Sequence, residues 1–442
     1  MYTINKLYCF SNMVLSIIQK RLFQSKLNVV KICLLTCLFS ACSKEHTNRT
    51  YVPQAVDLEI KQIDGKSAVT GSSALQVPGH FVWGGSVEKG KDGKFYMVYS
   101  GIETGVYPFN DAWVLGSKFG LAVSDRPDGG FRHLGFFLNK DGFRPDSSSW
   151  DAQMVHNPHV RKFGDKYYLY YIGSKDRGNE GVVAEGDTLP RRHRVQQFLS
   201  IGVLEFESFT DLLSGKFKHF DRPILTARTR VKSTDIINPS PMGTIVLPDN
   251  IIVCNPSVVY RPDDGKYLMY FKGNRYDPEW RGVHGVAMSE SPVGPFVAKD
   301  FTVFEIAHET KRCSAEDPYV WYSEKEGKFF AVLKDFNGAY TGLDGSGLAL
   351  MESEDGINWS LSQNSLFMKK ELILKSGDTI QVNRLERPQL YINEEGIPEV
   401  LYAACAIDPV NGRMDGGSFN VQIPLKLSLI HISEPTRHSL IS

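Results

Sequence analysis

Five times along this chain a strand, a glycine-containing turn and a second, aromatic-rich strand follow one another. VWGGSVEKGKDGKFYMVYSG starts at Val82, VHNPHVRKFGDKYYLYYIG at Val155 and VCNPSVVYRPDDGKYLMYFKG at Val253. AEDPYVWYSEKEGKFFAVLKD starts at Ala315 and LERPQLYINEEGIPEVLYAA at Leu385. Gly with Asp, Asn or Glu between β-branched and aromatic runs is hairpin chemistry. Third strands follow, as in Phe119–Ser124, Ile201–Leu204, His284–Ser289 and Gly347–Glu352, and fourth strands fit GPFVAKDFTVFE and INWSLSQNSLFM. Four antiparallel strands per repeat make a propeller blade. The expected fold is therefore all-β, a five-bladed β-propeller, and the repetition favours it over a β-sandwich. Repeat spacings of roughly 60–100 residues place the extra length in loops, the longest being the polar insertion from Asp176 to Arg194.

The ends of the chain read differently. Lys20, Arg21, Lys26 and Lys31 precede an apolar run, Ile32–Ala41, that ends in Leu38-Phe39-Ser40-Ala41-Cys42. A basic flank, a short apolar core and small residues form an export signal, and the run is too short to span a bilayer. Cys42 after Ser-Ala resembles the lipobox of bacterial lipoproteins, which implies a lipid anchor at Cys42, a membrane partner and a location in the bacterial cell envelope outside the cytoplasm; an ordinary signal peptide is the alternative. Residues 1–41 are thus read as signal peptide and 42–70 as a tether. Within the tether AVDLEIKQI is a candidate edge strand that helps close the ring. The propeller takes 71–426, with Ser418–Lys426 alternating as a strand does. Residues 427–442, which contain LSLIHISEPTR, read as a translated sequencing adapter and are set aside.

Fifty Lys and Arg balance fifty Asp and Glu, so no basic surface points to nucleic acid. Beyond the leader only Cys254, Cys313 and Cys405 remain, which is neither a disulfide framework nor a zinc site; they are expected as buried small hydrophobes.

Proline aligns the blades, since its missing N–H suits the start of an inner strand. Two residues before it stand Trp83, His156, Cys254, Glu316 and Glu386, and one before it Gly84, Asn157, Asn255, Asp317 and Arg387. Equivalent blades bring these ten residues to one mouth of the channel, where the second strands add Lys272, Lys334 and Asp335. Acids and bases in one concave place mark a site with shifted proton affinities. Asn157, Asn255 and Asp317 also suit a purely local role, bonding neighbouring backbone. Glu316 and Glu386 are costly near an axis unless paired or used, and Arg387 reads as the partner that keeps a carboxylate ionised.

At these motifs the chain resembles the five-bladed-propeller glycoside hydrolases, the arabinanase, levansucrase and invertase superfamily, most nearly family 43, over roughly residues 75–426. That family carries a general acid in a Glu-x-Pro motif on blade four, which Glu316-Asp317-Pro318 matches. Its catalytic base lies one residue before Pro on blade one, where this chain has Gly84, and its blade-three Asp is replaced by Asn255. The resemblance implies a carbohydrate substrate and hydrolysis of oligosaccharides from the chain end, with Glu316 as acid and Glu386 or Asp335 as base. In an inverting enzyme the two carboxyls stand roughly 6.5–9.5 Å apart. Trp83, His156, Asn157, Asn255, Lys272, Asp317, Lys334 and Arg387 are the expected substrate contacts, and the cations suggest an anionic sugar. A non-catalytic glycan-binding lipoprotein and a phosphorylase are the alternatives. Some relatives hold a structural calcium in the channel; this chain shows no liganding pattern that specifies one, and no cofactor is expected.

Overall fold

The computed structural model describes residues 46–141, 148–178, 190–228, 247–276 and 280–432. The leader, Cys42, most of the 176–194 insertion and the last ten residues lie outside them. The chain divides into two units, Arg49–Ser428, which holds the propeller, and Met1–Asn48 with Leu429–Ser442.

Five antiparallel sheets follow the five repeats, each a four-stranded blade, with the short strand Ala74–Leu75 added to the fifth. Blade one takes His80–Lys89, Phe95–Glu103, Ser117–Ser124 and Arg132–Phe136, and blade two Met154–Phe163, Lys166–Ser174, Ser200–Phe206 and Lys218–His219. Blade three takes Cys254–Arg261, Lys266–Tyr276, Trp280–Ser289 and a short Val297–Ala298, and blade four Ala315–Ser323, Lys328–Asp335, Gly347–Ser353 and Ser360–Lys369. Blade five takes Arg384–Ile392, Pro398–Ala406 and Phe419–Ile432, and its outermost strand comes from the other end of the chain, His46–Pro53. The ring is therefore closed a few residues earlier than the sequence suggests: Glu59–Ile63, inside the expected edge strand, instead forms a separate hairpin with Lys66–Thr70. The last strand also continues past Lys426. Among the described residues no helix is long and apolar enough to cross a membrane.

Each blade is covered on both faces, so its central strands are apolar on both sides. Val258, Met269 and Phe271 of blade three pack towards blade two, while their alternating neighbours Val259, Leu268 and Tyr270 pack towards blade four. The same division produces a core at every interface, blades one and two around Tyr167 and Phe119, four and five around Trp321 and Leu401, five and one around Tyr402 and Met97. Cys254, Cys313 and Cys405 are free and buried.

Near the axis a second device holds the blades in register. In blades one to four the residue after the aligned position, Gly85 in blade one and proline in the others, reaches the backbone of the next blade two positions after that blade's proline. Ser86 Oγ accepts from Val160 N at 2.9 Å, His159 Nε2 from Val258 N at 2.9 Å, and Ser257 Oγ from Val320 N at 2.9 Å. Tyr319 Oη donates to Leu390 O at 2.9 Å. These side chains satisfy inner-edge backbone groups that have no further strand to pair with. His159 also meets Gln389 Oε1 across the channel at 2.9 Å, which plugs the axis below the mouth.

Candidate active site

The residue before each proline, or before Gly85 in blade one, has left-handed backbone geometry: φ is 64° at Gly84, 54° at Asn157, 53° at Asn255, 59° at Asp317 and 54° at Arg387. Each inner strand shifts register at this point. An extended strand would send neighbouring side chains to opposite faces; the bulge turns both members of each pair to the same mouth. Gly, Asn and Asp tolerate this conformation, which explains four of the five residues. Arg387 costs about 1–2 kcal/mol there and is tied down: its N–H donates to Asp317 Oδ2 at 3.0 Å and its Nη2 to Asn157 O at 3.1 Å.

The mouth is a cavity of about 240 Å³ lined by nine of the ten aligned residues, all but Gly84, together with Lys272. Its floor is a hydrogen-bonded chain through four blades. Asn157 Nδ2 donates to Asn255 Oδ1 at 2.7 Å, Asn255 Nδ2 donates to Asp317 Oδ1 at 2.6 Å, and Arg387 Nη1 stands 3.6 Å from the same Asp317 oxygen. At blade one Asn420 Nδ2 donates to the carbonyl of Gly84 at 2.6 Å.

Lys334 lies behind the wall and organises it, donating to Glu316 Oε1 at 2.9 Å and to Glu386 Oε1 at 2.6 Å. Lys272 Nζ stands 3.6 Å from Glu316 Oε2 and 5.1 Å from the centre of the Trp280 ring. Arg384 Nη1 donates to Glu386 Oε1 at 2.9 Å. Burial works to raise Glu316, but Lys334 and Lys272 overcome it and hold the carboxyl at about 2. Burial and the neighbouring Glu316 push Asp317 up to about 7, against the pull of Arg387. Burial, helped by Arg387, holds His156 at about 3, a neutral ring whose Nδ1 meets Ser117 Oγ at 2.8 Å.

Two expectations need correction. Asp335 is fully buried and does not line the cavity; its carboxylate accepts N–H bonds from Gly338, Tyr340 and Thr341 and the Thr341 hydroxyl, at 2.9–3.0 Å, so it builds its own loop and is not placed to act as base. Glu316 and Glu386 are not spaced as an inverting pair: hydrogen bonds to one nitrogen bring two of their oxygens closer than the roughly 6.5–9.5 Å that such a pair keeps. Trp83 lines the cavity but is only 6% exposed, packed on Phe109 at 4.8 Å, and Trp113, which the repeat does not reveal, is the more accessible ring. Trp113 and Phe109 lie on the short helix Phe109–Leu115, beside Arg192 of the helix Arg191–Gln196, whose Nε donates to Asn110 O at 3.1 Å. These residues and Arg384 line the cavity too. Among the described residues no group of three or more His, Cys, Asp or Glu is placed to hold a metal ion.

A five-bladed propeller with a polar pocket at one channel mouth is the class that fold and site define. Among solved structures the chain is similar to one described as a complex of BT0996 with RGII and to one described as a glycoside hydrolase. Each has a TM-score of 0.51 and 14% identity, and each match covers 88% of this chain and 95% of the other. A family 117 glycoside hydrolase of the marine bacterium Zobellia galactanivorans matches at a TM-score of 0.47 and 13% identity, over 87% of this chain and 92% of that one. No family model matches the sequence, and no curated protein does. The shared property is the fold.

Proposed function

We propose that this protein cleaves the terminal glycosidic bond of an oligosaccharide that carries an anionic substituent. One observation carries the reading: a single cavity holds carboxyls of opposite proton affinity, Glu316 at about 2 and Asp317 at about 7. Environments that drive two carboxyls apart supply an ionised group and a proton donor at one pH. Asp317 is then the proton-holding group and Glu316 the carboxylate that activates water or attacks, the reverse of the role that its motif suggests. The floor accommodates a proton on Asp317. If the amides of Asn255 and Asn157 each turn by half a rotation, Asn255 Oδ1 accepts the Asp317 O–H, and the buried Asn157 Oδ1, which has no partner, accepts from Asn255.

The anionic substituent follows from charge. Arg192, Lys272, Arg384 and Arg387 line the cavity against Glu316, Asp317 and Glu386. Arg387 is itself held by Asp317, whose Oδ1 stands 3.6 Å from its Nη1, which leaves Arg192, Lys272 and Arg384 as the cations most open to an oxyanion. The two short helices wall one side, so the site is a pocket suited to a chain end. The fold, shared with a structure described as a glycoside hydrolase, supports the class of reaction. Cys42 and its leader would carry the enzyme to the cell envelope on a lipid, which labelling with a fatty-acid analogue and Cys42→Ser would test.

A panel of neutral and acidic oligosaccharides, assayed with and without phosphate, tests the reading. Hydrolysis of an acidic member is expected, and Glu316→Gln should lower it by about 10²–10⁴-fold. Turnover only with phosphate would assign a phosphorylase. Binding without turnover under both conditions would assign a glycan-binding protein, the reading that the missing side chain at Gly84 favours.

A further inference from the structure

The channel has a second mouth. Inner strands run from the residues of the candidate active site to Glu88, Arg161, Tyr322 and Tyr391 at their far ends. Five or six residues at about 3.3 Å each put the two mouths about 17–20 Å apart, with the His159–Gln389 contact between them. A cavity of about 780 Å³ opens at this rear mouth, with inner-strand residues from blades one, two, four and five in its wall.

Its lining differs from the front in carrying one more carboxylate than cations where the front has one more cation than carboxyls. Arg161, Lys162 and Lys325 are answered by Glu88, Glu324, Glu394 and Glu395, so neither sign of charge dominates. Tyr322 and Tyr391 are half-buried in the wall. At the bottom Arg161 Nη1 donates to Tyr319 Oη at 2.9 Å, while Arg161 Nε is buried with no hydrogen-bond partner. Aromatic rings, carboxylates and cationic N–H donors around a concave, charge-balanced surface fit an uncharged polyol, whose C–H faces lie on the rings while its hydroxyls both donate and accept.

We propose that the rear mouth binds a neutral oligosaccharide segment, independently of any chemistry at the front. Glu88 accepts from sugar hydroxyls, the Arg161 and Lys162 side chains donate to sugar oxygens, and Tyr391 and Tyr322 cover the ring faces. The site would hold a polymer while the front pocket works on a different, charged terminus.

Affinity gel electrophoresis in arabinan, arabinoxylan, β-glucan and mannan tests this. At least one polymer should retard the wild type, and Tyr391→Ala and Glu88→Gln should each weaken that interaction by about tenfold. Glu316→Gln should retain it, and turnover of a soluble short substrate should be unchanged in the rear variants. Circular dichroism checks that Tyr391→Ala folds, and Glu88→Gln keeps the side-chain volume if it does not. The proposal is overturned if none of the four polymers retards the protein, if both rear variants bind as the wild type does, or if Glu316→Gln abolishes retardation, which would place the binding at the front.

Discussion

The ammonium of Lys334 is bound to Glu386 at 2.6 Å in the same site where it meets Glu316 at 2.9 Å. One buried cation therefore supports two carboxylates from different blades. Lys334→Met should destabilise the protein by about 3–5 kcal/mol, because it leaves buried charge uncompensated. Adding Glu386→Gln should recover part of that loss, since fewer charges then lack a partner. Urea denaturation of the two single variants and the double variant measures the coupling; equal losses in Lys334→Met with and without Glu386→Gln would show that the contact carries no energy.

Opposite pH dependences follow for the adjacent carboxyls. Glu316 is lowered from 4.5 to about 2, so its stabilisation is present above 4.5 and lost as the pH falls towards 2. Asp317 is raised from 3.8 to about 7, so the folded state binds the extra proton between those values, and this group's contribution to stability falls as pH rises through that window. Asp317→Asn should flatten the stability profile between these two values. If a protonated Asp317 is the donor, wild-type kcat/KM should also decline as pH rises through about 7. His156, at about 3, should contribute no limb between pH 5 and 9, which an unchanged profile in His156→Gln would verify.

How far the site was legible depended on whether a residue obeyed the repeat. Aligning on proline brought Glu316, Asp317, Glu386, Arg387, His156 and both asparagines to one mouth, because the bulge that turns neighbouring side chains the same way recurs in every blade. Trp113, Arg192 and Arg384 escaped it: the first two sit on short helices that, among the described residues, only blades one and two carry, and Arg384 precedes the aligned pair. Asp335 misled for a related reason. The strand does end at the mouth, but N–H groups of its own loop capture the carboxylate, and a linear pattern does not record which way a side chain turns. A contact between blades such as Asn420 on Gly84 joins positions that the repeat does not relate.

The bare position in blade one can be refilled. A Cβ added at Gly84 would meet only Pro158 Cδ, at 3.8 Å, and φ of 64° is a conformation that Asp accepts in blade four. Gly84→Asp should therefore fold, at a cost of about 1–2 kcal/mol. Because Glu316 and Asp317 are proposed to suffice, turnover of the identified substrate should not rise. A gain of about tenfold or more, equivalent to about 1.4 kcal/mol of barrier, would instead mean that the native protein binds sugar and lacks only the blade-one carboxylate to cleave it.

The stitches between blades yield a prediction that separates architecture from chemistry. Ser86 and Ser257 each satisfy one buried N–H of the following blade, at Val160 and Val320, and neither lines the front cavity. Ser257→Ala removes the acceptor but not the donor, which should cost about 1–3 kcal/mol. Ser86→Ala should cost a similar amount at a different interface, and with no shared partner the double variant should sum the two within about 0.5 kcal/mol. Both should leave KM for the front substrate unchanged at temperatures where the variants remain folded. If Ser257→Ala shifts KM instead, the ring of proline-following residues supports the cavity floor directly, and Asn255, two positions back, is the residue through which it would act.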